Sequence, residues 1–370
     1  MAPYCGGSHR AWAEGYVAHS CHDVTLLGLA ARFWKWRMQG GVVTLAELAR
    51  TVDEVPDVIL ASDMVNLPAF LGLTRDVLAD VPTALYCHEN QLTYPVPPGE
   101  KRDLTYGMIN WLSMLAADRV FFNSQYHLDD WFGALPNMLR HFPDYSHLRH
   151  VDEVRARASV LPVGCDLSRL DAVPGPDGPS EPPLILWNQR WEYDKAPEVF
   201  FRALYALAEK GMGFRVAIAG RSYRQSAPEF EAAKERLGDR VVHFGYAQRE
   251  SYERLLREAD IVVSTAIHEF FGVAIVEAIY AGCLPVLPHR LAYPELIPEA
   301  HHQTCLYRNF ERLLARLRWA LNNAEAAHRI AEALRMVVAR FDWQAVAPRY
   351  DRQLAVLARG GSVTGVESPG

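Results

Sequence analysis

At 370 residues the chain is too long for one small stapled module and long enough for about two domains, each with its own core. Half of it is hydrophobic and 22% charged, which excludes a disordered, collagenous or coiled-coil protein. Lys and Arg total 38 against 44 Asp and Glu, a formal charge of −6, so no global positive field marks a nucleic-acid binder and any RNA contact needs a local patch.

The chain opens MAPYCGGSHR and passes directly into a helical pattern. A phosphate-type βα turn normally follows a buried strand, so either the first strand is very short or the start codon is misassigned downstream of it. Gly6 and Gly7 let a ligand approach the backbone, and Ser8 is a natural N-cap. Next comes an aromatic and basic run, Phe33, Trp34, Lys35, Trp36 and Arg37, suited to stacking bases and contacting phosphates of a single-stranded loop. The plainer reading of this run is an amphipathic segment whose tryptophans cover the core.

Apolar runs at 57–62, 83–90, 118–124 and 158–164 follow helix-length segments, the rhythm of parallel α/β units. Just past the second of them His88, Glu89, Asn90 and Gln91 form four consecutive polar groups, with His88 near its working pKa for proton transfer. Residues 137–157 add Arg140, Arg149, Arg155 and Arg157 beside His141, Phe142, His147 and His150, diluted by Asp144, Asp152 and Glu153, so RNA binding here would be modest and salt-dependent.

Residues 171–183, DAVPGPDGPSEPP, exclude helix and central strand and are expected to link the domains, with 1–170 as the first and 184–341 as the second. Strand-like runs restart at 184–187, 214–220, 241–245, 260–265 and 284–288, predicting a second doubly wound sheet. A last helix at 342–359 has no fixed place and is free to join the first domain; 360–370 is expected to be a disordered tail.

In the second half, Arg190 and Lys195 follow the strand LILW at the edge where open α/β sheets bind ligands, and two cations there suit a diphosphate; the alternative is a salt bridge to Asp194 or Glu192. The stretch 268–282, HEFFGVAIVEAIYAG, follows another strand. Gly272 is placed where the chain turns into a helix beginning near Val273, whose N–H groups favour phosphate. Glu269 lies before this helix and Glu277 inside it; capping and solvation are the plainer roles for the two. Together the loops would face one another across an interdomain cleft. No GxxxxGK[ST], GxGxxG or GxSxG occurs, which argues against a P-loop nucleotidase, a hydride-transferring Rossmann enzyme and an α/β-hydrolase.

Arg190 with Lys195, followed by Glu269 and Glu277 and ending EAIYAG, resembles the retaining glycosyltransferases of the GT-B fold, two Rossmann-like doubly wound domains facing across a cleft. The resemblance implies Arg190 and Lys195 as diphosphate ligands, Glu269 as a sugar ligand and Glu277 as a ribose ligand. More narrowly, GGSHR at 6–10, FWKWRM at 33–38, CHENQLTYP at 87–95, FNSQYH at 122–127, RWEYDK at 190–195, HEFFGVA at 268–274 and YPELIP at 293–298 resemble the tRNA-queuosine mannosyltransferase family.

This resemblance implies transfer of mannose from GDP-mannose to queuosine at the wobble position of tRNA-Asp-type anticodons, with retention and without a metal. The donor would meet Gly6, Gly7, Ser8, Arg190, Lys195, His268, Glu269, Phe270, Phe271, Gly272, Val273 and Glu277. The acceptor would meet His9, Trp34, Lys35, Trp36, Arg37, Glu89, Asn90, Gln91 and Asn123, and catalysis would use His88, Glu269, Arg190 and Lys195. Alternatives are another nucleotide sugar on a small molecule, lipid or glycan, a nucleotide-sugar 2-epimerase, and a non-catalytic RNA-binding module. Scattered cysteines without a zinc pattern, and the lack of a leader or an 18-residue apolar run, lead us to expect a cytoplasmic protein with no cofactor or metal.

Overall fold

Each of the nine apolar runs read from the sequence contains a strand. The structure, a computed structural model, describes residues 1–96, 99, 101–176, 178–220 and 228–360. The tail expected beyond Gly360 lies outside them. The chain divides into two units, Met1–Gly164 with Trp343–Gly370, and Cys165–Asp342.

In the first unit β1 (Ala2–Cys5) pairs in parallel with β2 (Gly28–Ala30). A second parallel sheet runs β3 (Ile59–Ser62), β4 (Thr83–Cys87), β5 (Arg119–Phe122) and β6 (Ala158–Val160) in that order. Met1 ties the two together: its amine donates to the Leu60 carbonyl, and its own carbonyl accepts from Ser62 N–H at 3.0 Å. The first strand of this sheet pair is short, four residues. All five residues of β4 are buried, as a central parallel strand requires. The helices Leu104–Ala116 and Gln125–Arg140 supply Trp111 and Trp131 to the core against Leu85 and Phe122. Ser124 starts the latter helix by accepting from His127 N–H at 3.0 Å.

The helix Trp343–Ala358 belongs to this unit. Trp343 fits where only hydrogen is tolerated: a Cβ on Gly15 would lie 2.1 Å from its indole nitrogen, and one on Gly164 2.3 Å from its ring. Two turns further on, the Tyr350 hydroxyl accepts from Trp12 Nε1 and donates to the Pro162 carbonyl, both at 3.0 Å. Asp351 Oδ1 accepts from Tyr16 at 2.8 Å and from Ser20 at 2.6 Å.

The second unit holds β7 (Leu184–Trp187), β8 (Arg215–Ala219), β9 (Val241–Gly245), β10 (Ile261–Val263), β11 (Leu284–Pro288) and β12 (Leu306–Tyr307). Their order is β12-β11-β10-β7-β8-β9, with every pairing parallel. The chain enters at β7, winds outward to β9, and returns to the other side of β7 with β10. The topological switch point therefore falls between β7 and β10, and the loops after both strands open there. The unit begins at Cys165, so 171–183, expected as the linker, is part of it: the Asp260 carboxylate accepts from Ser180 N–H at 2.8 Å and from Leu184 N–H at 2.7 Å.

Candidate active site

At the switch point the loop after β7 carries Arg190, Asp194 and Lys195, and the loop after β10 carries His268 and Glu269. Two consecutive carbonyls of the first loop are held by the second: that of Asp194 accepts from Ile267 N–H at 2.9 Å, and that of Lys195 accepts from the Thr265 hydroxyl at 2.7 Å. These two bonds stitch the loops together. Lys195 is buried, and its ammonium lies 3.3 Å from Asp194 Oδ2, 3.3 Å from Glu269 Oε2 and 2.8 Å from the His268 carbonyl. Arg190 is exposed and sits 3.6 Å from Asp194. The salt bridge weighed as an alternative is thus present, and it lies within the cationic cluster expected for a diphosphate.

Burial pushes the Glu269 carboxyl upward, but Lys195 and His268 outweigh it and hold it below the ordinary glutamate value. Burial, then Lys195, pulls the His268 imidazole down to about 4, so it is neutral at neutral pH. Glu269 Oε1 also accepts from Phe270 N–H at 3.2 Å, which fixes the bend ahead of the next helix. Gly272 makes that bend with φ +91°, a left-handed conformation favouring glycine, and caps the helix Val273–Ala281. The first N–H groups of this helix have no intrahelical acceptor, so the positive end of its dipole opens beside the cation cluster. Phe270 and Phe271 are buried, whereas Val273 is half-buried in the first turn.

Glu277, expected at a ribose, is already engaged on both oxygens. Oε1 accepts from Arg169 at 2.7 Å and Oε2 from the Tyr252 hydroxyl at 3.1 Å; Tyr252 in turn accepts from Asn188 at 3.0 Å. Sequence reasoning missed Arg169, Tyr252 and Asn188; of these only Asn188, one residue past a strand end, carried a positional signal.

In the first unit the loop after β4 is built from within. Asn90 is buried and donates to Asp130 at 2.8 Å while its oxygen accepts from Leu92 N–H at 2.9 Å. Asn123 donates to the His88 carbonyl at 3.1 Å and bonds the His127 ring at 2.9 Å. These two side chains, expected at the acceptor, hold the loop in shape. The His88 ring stacks obliquely on His9, 4.4 Å between centroids, and meets the Trp12 ring edge-on at 4.7 Å. Burial, then His9 and His127, keeps His88 well below its ordinary pKa, so it is neutral. Glu89 and Gln91 are half-buried.

Ser8 lies inside the helix Gly7–His19; its N-cap is Gly6, without a side-chain bond, which corrects the capping expectation. Gly7, at φ +55°, has open space around its Cα. Trp34, Lys35 and Trp36 are exposed on the short helix Trp34–Gln39, with Phe33 before it 78% exposed, and Arg37 donates to the Ala30 carbonyl at 3.1 Å. Trp36 therefore presents its ring to solvent, whereas the Trp34 ring packs against that of buried Tyr106, 4.8 Å between centroids, with its remaining surface exposed. Among the residues at 137–157, Arg155 pairs with Asp129 at 2.6 Å and Arg157 donates to the carbonyls of Met114 and Leu115, leaving Phe142 and Tyr145 exposed. Among the described residues, one group has metal-ligand geometry, Cys21, His22 and Asp351, and no helix is long and apolar enough to cross a membrane.

The architecture is shared widely. The structure matches sucrose-phosphate synthase from Thermosynechococcus elongatus with a TM-score of 0.71 at 15% identity over 98% of both chains. It matches Anabaena HepE, solved with UDP, with a TM-score of 0.62 at 16% identity over 95% of this chain and 90% of that one. Residues 174–336 match the family of glycosyl transferases group 1. Fold and site together define a GT-B glycosyltransferase, and a hexosyltransferase within that class.

Residues 1–165 match the N-terminal family of tRNA-queuosine alpha-mannosyltransferase. Over 307 residues, 81% of each chain, the protein is 37% identical to the tRNA-queuosine alpha-mannosyltransferase of Drosophila melanogaster. It is 27% identical to the GDP-mannose:cellobiosyl-diphosphopolyprenol alpha-mannosyltransferase of Xanthomonas oryzae over 53% of this chain and 52% of that one. The chain belongs to the tRNA-queuosine alpha-mannosyltransferase family.

Proposed function

We propose that this enzyme transfers a mannosyl group from GDP-mannose to queuosine in tRNA, with retention of anomeric configuration. The observation that carries the reading is the chain-wide relation to a tRNA-queuosine mannosyltransferase, which spans both the first unit and the donor-type second unit. The guanine-nucleotide donor is supported by relatives over about half of the chain whose names specify GDP-mannose.

The chemistry follows from the switch-point cluster. Breaking the sugar–phosphate bond leaves charge on the diphosphate, and preorganised cations and N–H groups stabilise it most where water is excluded. Arg190, half-exposed at 46%, would receive the diphosphate as a bidentate donor; Lys195, 8% exposed, would exchange part of its contact with Asp194 and Glu269 for phosphate oxygen. The open N-terminus of the helix Val273–Ala281 adds uncharged donors. Such a set neutralises a leaving diphosphate without a metal. Glu269, held ionised, would accept from sugar hydroxyls. On the acceptor side, the exposed rings of Trp34 and Trp36 with Lys35 suit a single-stranded anticodon loop, which fits a protein whose net charge of −6 requires a local patch.

The test is mass spectrometry of nucleosides from queuosine-containing tRNA incubated with the protein and, separately, GDP-mannose, GDP-glucose and UDP-glucose. A queuosine peak gaining one hexose with GDP-mannose alone is the expected result. No gain with any donor, from protein shown to be folded, removes tRNA as the substrate.

A further inference from the structure

The loop after β4 has an anchor that no sequence motif marked. Asp63 lies one residue past β3 and is 2% exposed. Its Oδ2 accepts from the backbone N–H groups of both His88, at 3.1 Å, and Glu89, at 3.0 Å. Asp63 is itself immobilised: its N–H donates to the Tyr86 carbonyl at 2.9 Å, and its carbonyl accepts from Asn110 Nδ2 at 2.6 Å. The anchor is therefore built on the sheet and on a buried helix, not on a neighbouring loop. Asn123 holds the same loop from the carbonyl side of His88. With one side chain on its carbonyl and another on its amide, the His88 peptide backbone is fixed at both ends, and the direction of its ring toward His9 and Trp12 follows.

We propose that Asp63 is a positioning residue for transfer, acting through His88 and Glu89, whose amides it gathers on a single carboxyl oxygen. The proposal rests on the reading that this loop serves the acceptor in mannosyl transfer. Only one oxygen does the gathering; Oδ1 is buried without a partner. Burial raises the carboxyl to about 8, so the neutral acid predominates at neutral pH, and asparagine is its near isostere. This gives the proposal a feature that a general packing role lacks: Asp63→Asn keeps an oxygen for the two amides, whereas Asp63→Ala leaves both without an acceptor.

Full-length wild type, Asp63→Asn and Asp63→Ala are compared by hydrogen exchange at the amides of His88 and Glu89, by kcat and KM on queuosine-containing tRNA, and by GDP affinity. The expected result is that wild type and Asp63→Asn exchange slowly and turn over alike. Asp63→Ala should exchange at least about tenfold faster at those amides and lose at least about tenfold in kcat, at unchanged GDP affinity. Should the alanine variant not fold, Asp63→Ser, whose short hydroxyl cannot reach both amides, takes its place. Unchanged exchange or unchanged kcat in the alanine or serine variant overturns the proposal. So does a kcat loss in Asp63→Asn equal to that of alanine, since charge and not amide acceptance would then matter. If wild type transfers no hexose to tRNA, the functional reading fails, while the exchange comparison still decides whether Asp63 anchors the loop.

Discussion

Arg169 and Glu277, separated by 108 residues in the chain, meet as a 2.7 Å ion pair in which both side chains are less than one-fifth exposed. Arg169 also reaches Glu253 at 2.9 Å, and Tyr252 donates to the remaining Glu277 oxygen. Removing one member of such a group strands the others. Arg169→Met is expected to lower unfolding stability by about 2–4 kcal/mol. A double-mutant cycle with Tyr252→Phe should return a coupling energy above ~0.5 kcal/mol, measured by denaturant unfolding. Strict additivity would show that the three side chains do not act as a unit.

The two cations after β7 should separate stability from chemistry. Arg190 is half-exposed, and its pair with Asp194 contributes at most about 1 kcal/mol. Arg190→Ala is therefore expected to melt like wild type while kcat/KM for the sugar donor falls about 100-fold, the loss of a charge-assisted pair of hydrogen bonds. Lys195→Met should lose activity and also about 3–5 kcal/mol of stability, because Asp194 and Glu269 would face each other without their shared cation. Donor kinetics beside thermal melts distinguish the two; a wild-type melt for Lys195→Met would contradict the buried triad.

Exposed rings at the Trp34–Gln39 helix predict an RNA phenotype with little cost to folding. Trp36, 60% exposed, replaced by alanine should leave the melting temperature near wild type but weaken tRNA binding by about 1–3 kcal/mol, one stacked base. Lys35→Ala should reduce the slope of log affinity against log salt by about one unit. Filter binding across a salt series gives both values. Equal loss of tRNA affinity and donor hydrolysis in Trp36→Ala would place the ring in the donor's path instead.

Asp63 makes stability depend on pH in a defined direction. Its folded pKa of about 8 stands above the ordinary 3.8, so the folded state keeps a proton that the unfolded chain releases as pH rises past about 4. The Asp63 contribution to stability is thus greatest at or below pH 4 and falls steadily toward pH 8. Asp63→Asn cannot ionise and removes this slope. Relative to wild type the variant should gain melting temperature progressively between pH 4 and 8. A difference that does not change with pH would mean that Asp63 ionises freely in the folded protein.

Strands such as LILW and TALYC announced themselves because a strand buried on both faces must be apolar throughout, and the winding of the second sheet followed from their alternation with helices. β2 and β12, three and two residues long, were too short to leave a pattern. Arg190, Lys195, Glu269 and the Gly272 bend could be found because each lies beside a strand end. Asp63 occupies the same kind of position, yet a single acid after ILAS says nothing of the two amides it will meet 25 and 26 residues later. Arg169 was illegible for the same reason: its partners are defined by packing across the unit, not by spacing. Asn90 stood out as one of four consecutive polar groups past a strand end, whereas Asn123 came only through the resemblance, and neither signal told that their side chains bond Asp130 and the His88 carbonyl.

The helix Trp343–Ala358 gives synthesis of this protein an order. A ribosome delivers β1 through β6 first, then every residue of the second unit, and only afterwards the segment carrying Trp343, Tyr350 and Asp351. Cys165–Asp342 is continuous and can close as soon as it emerges. Until then Trp12, Tyr16 and the hollow between Gly15 and Gly164 lack the partners that the last helix brings. The part of the molecule that is made first is the last to be finished.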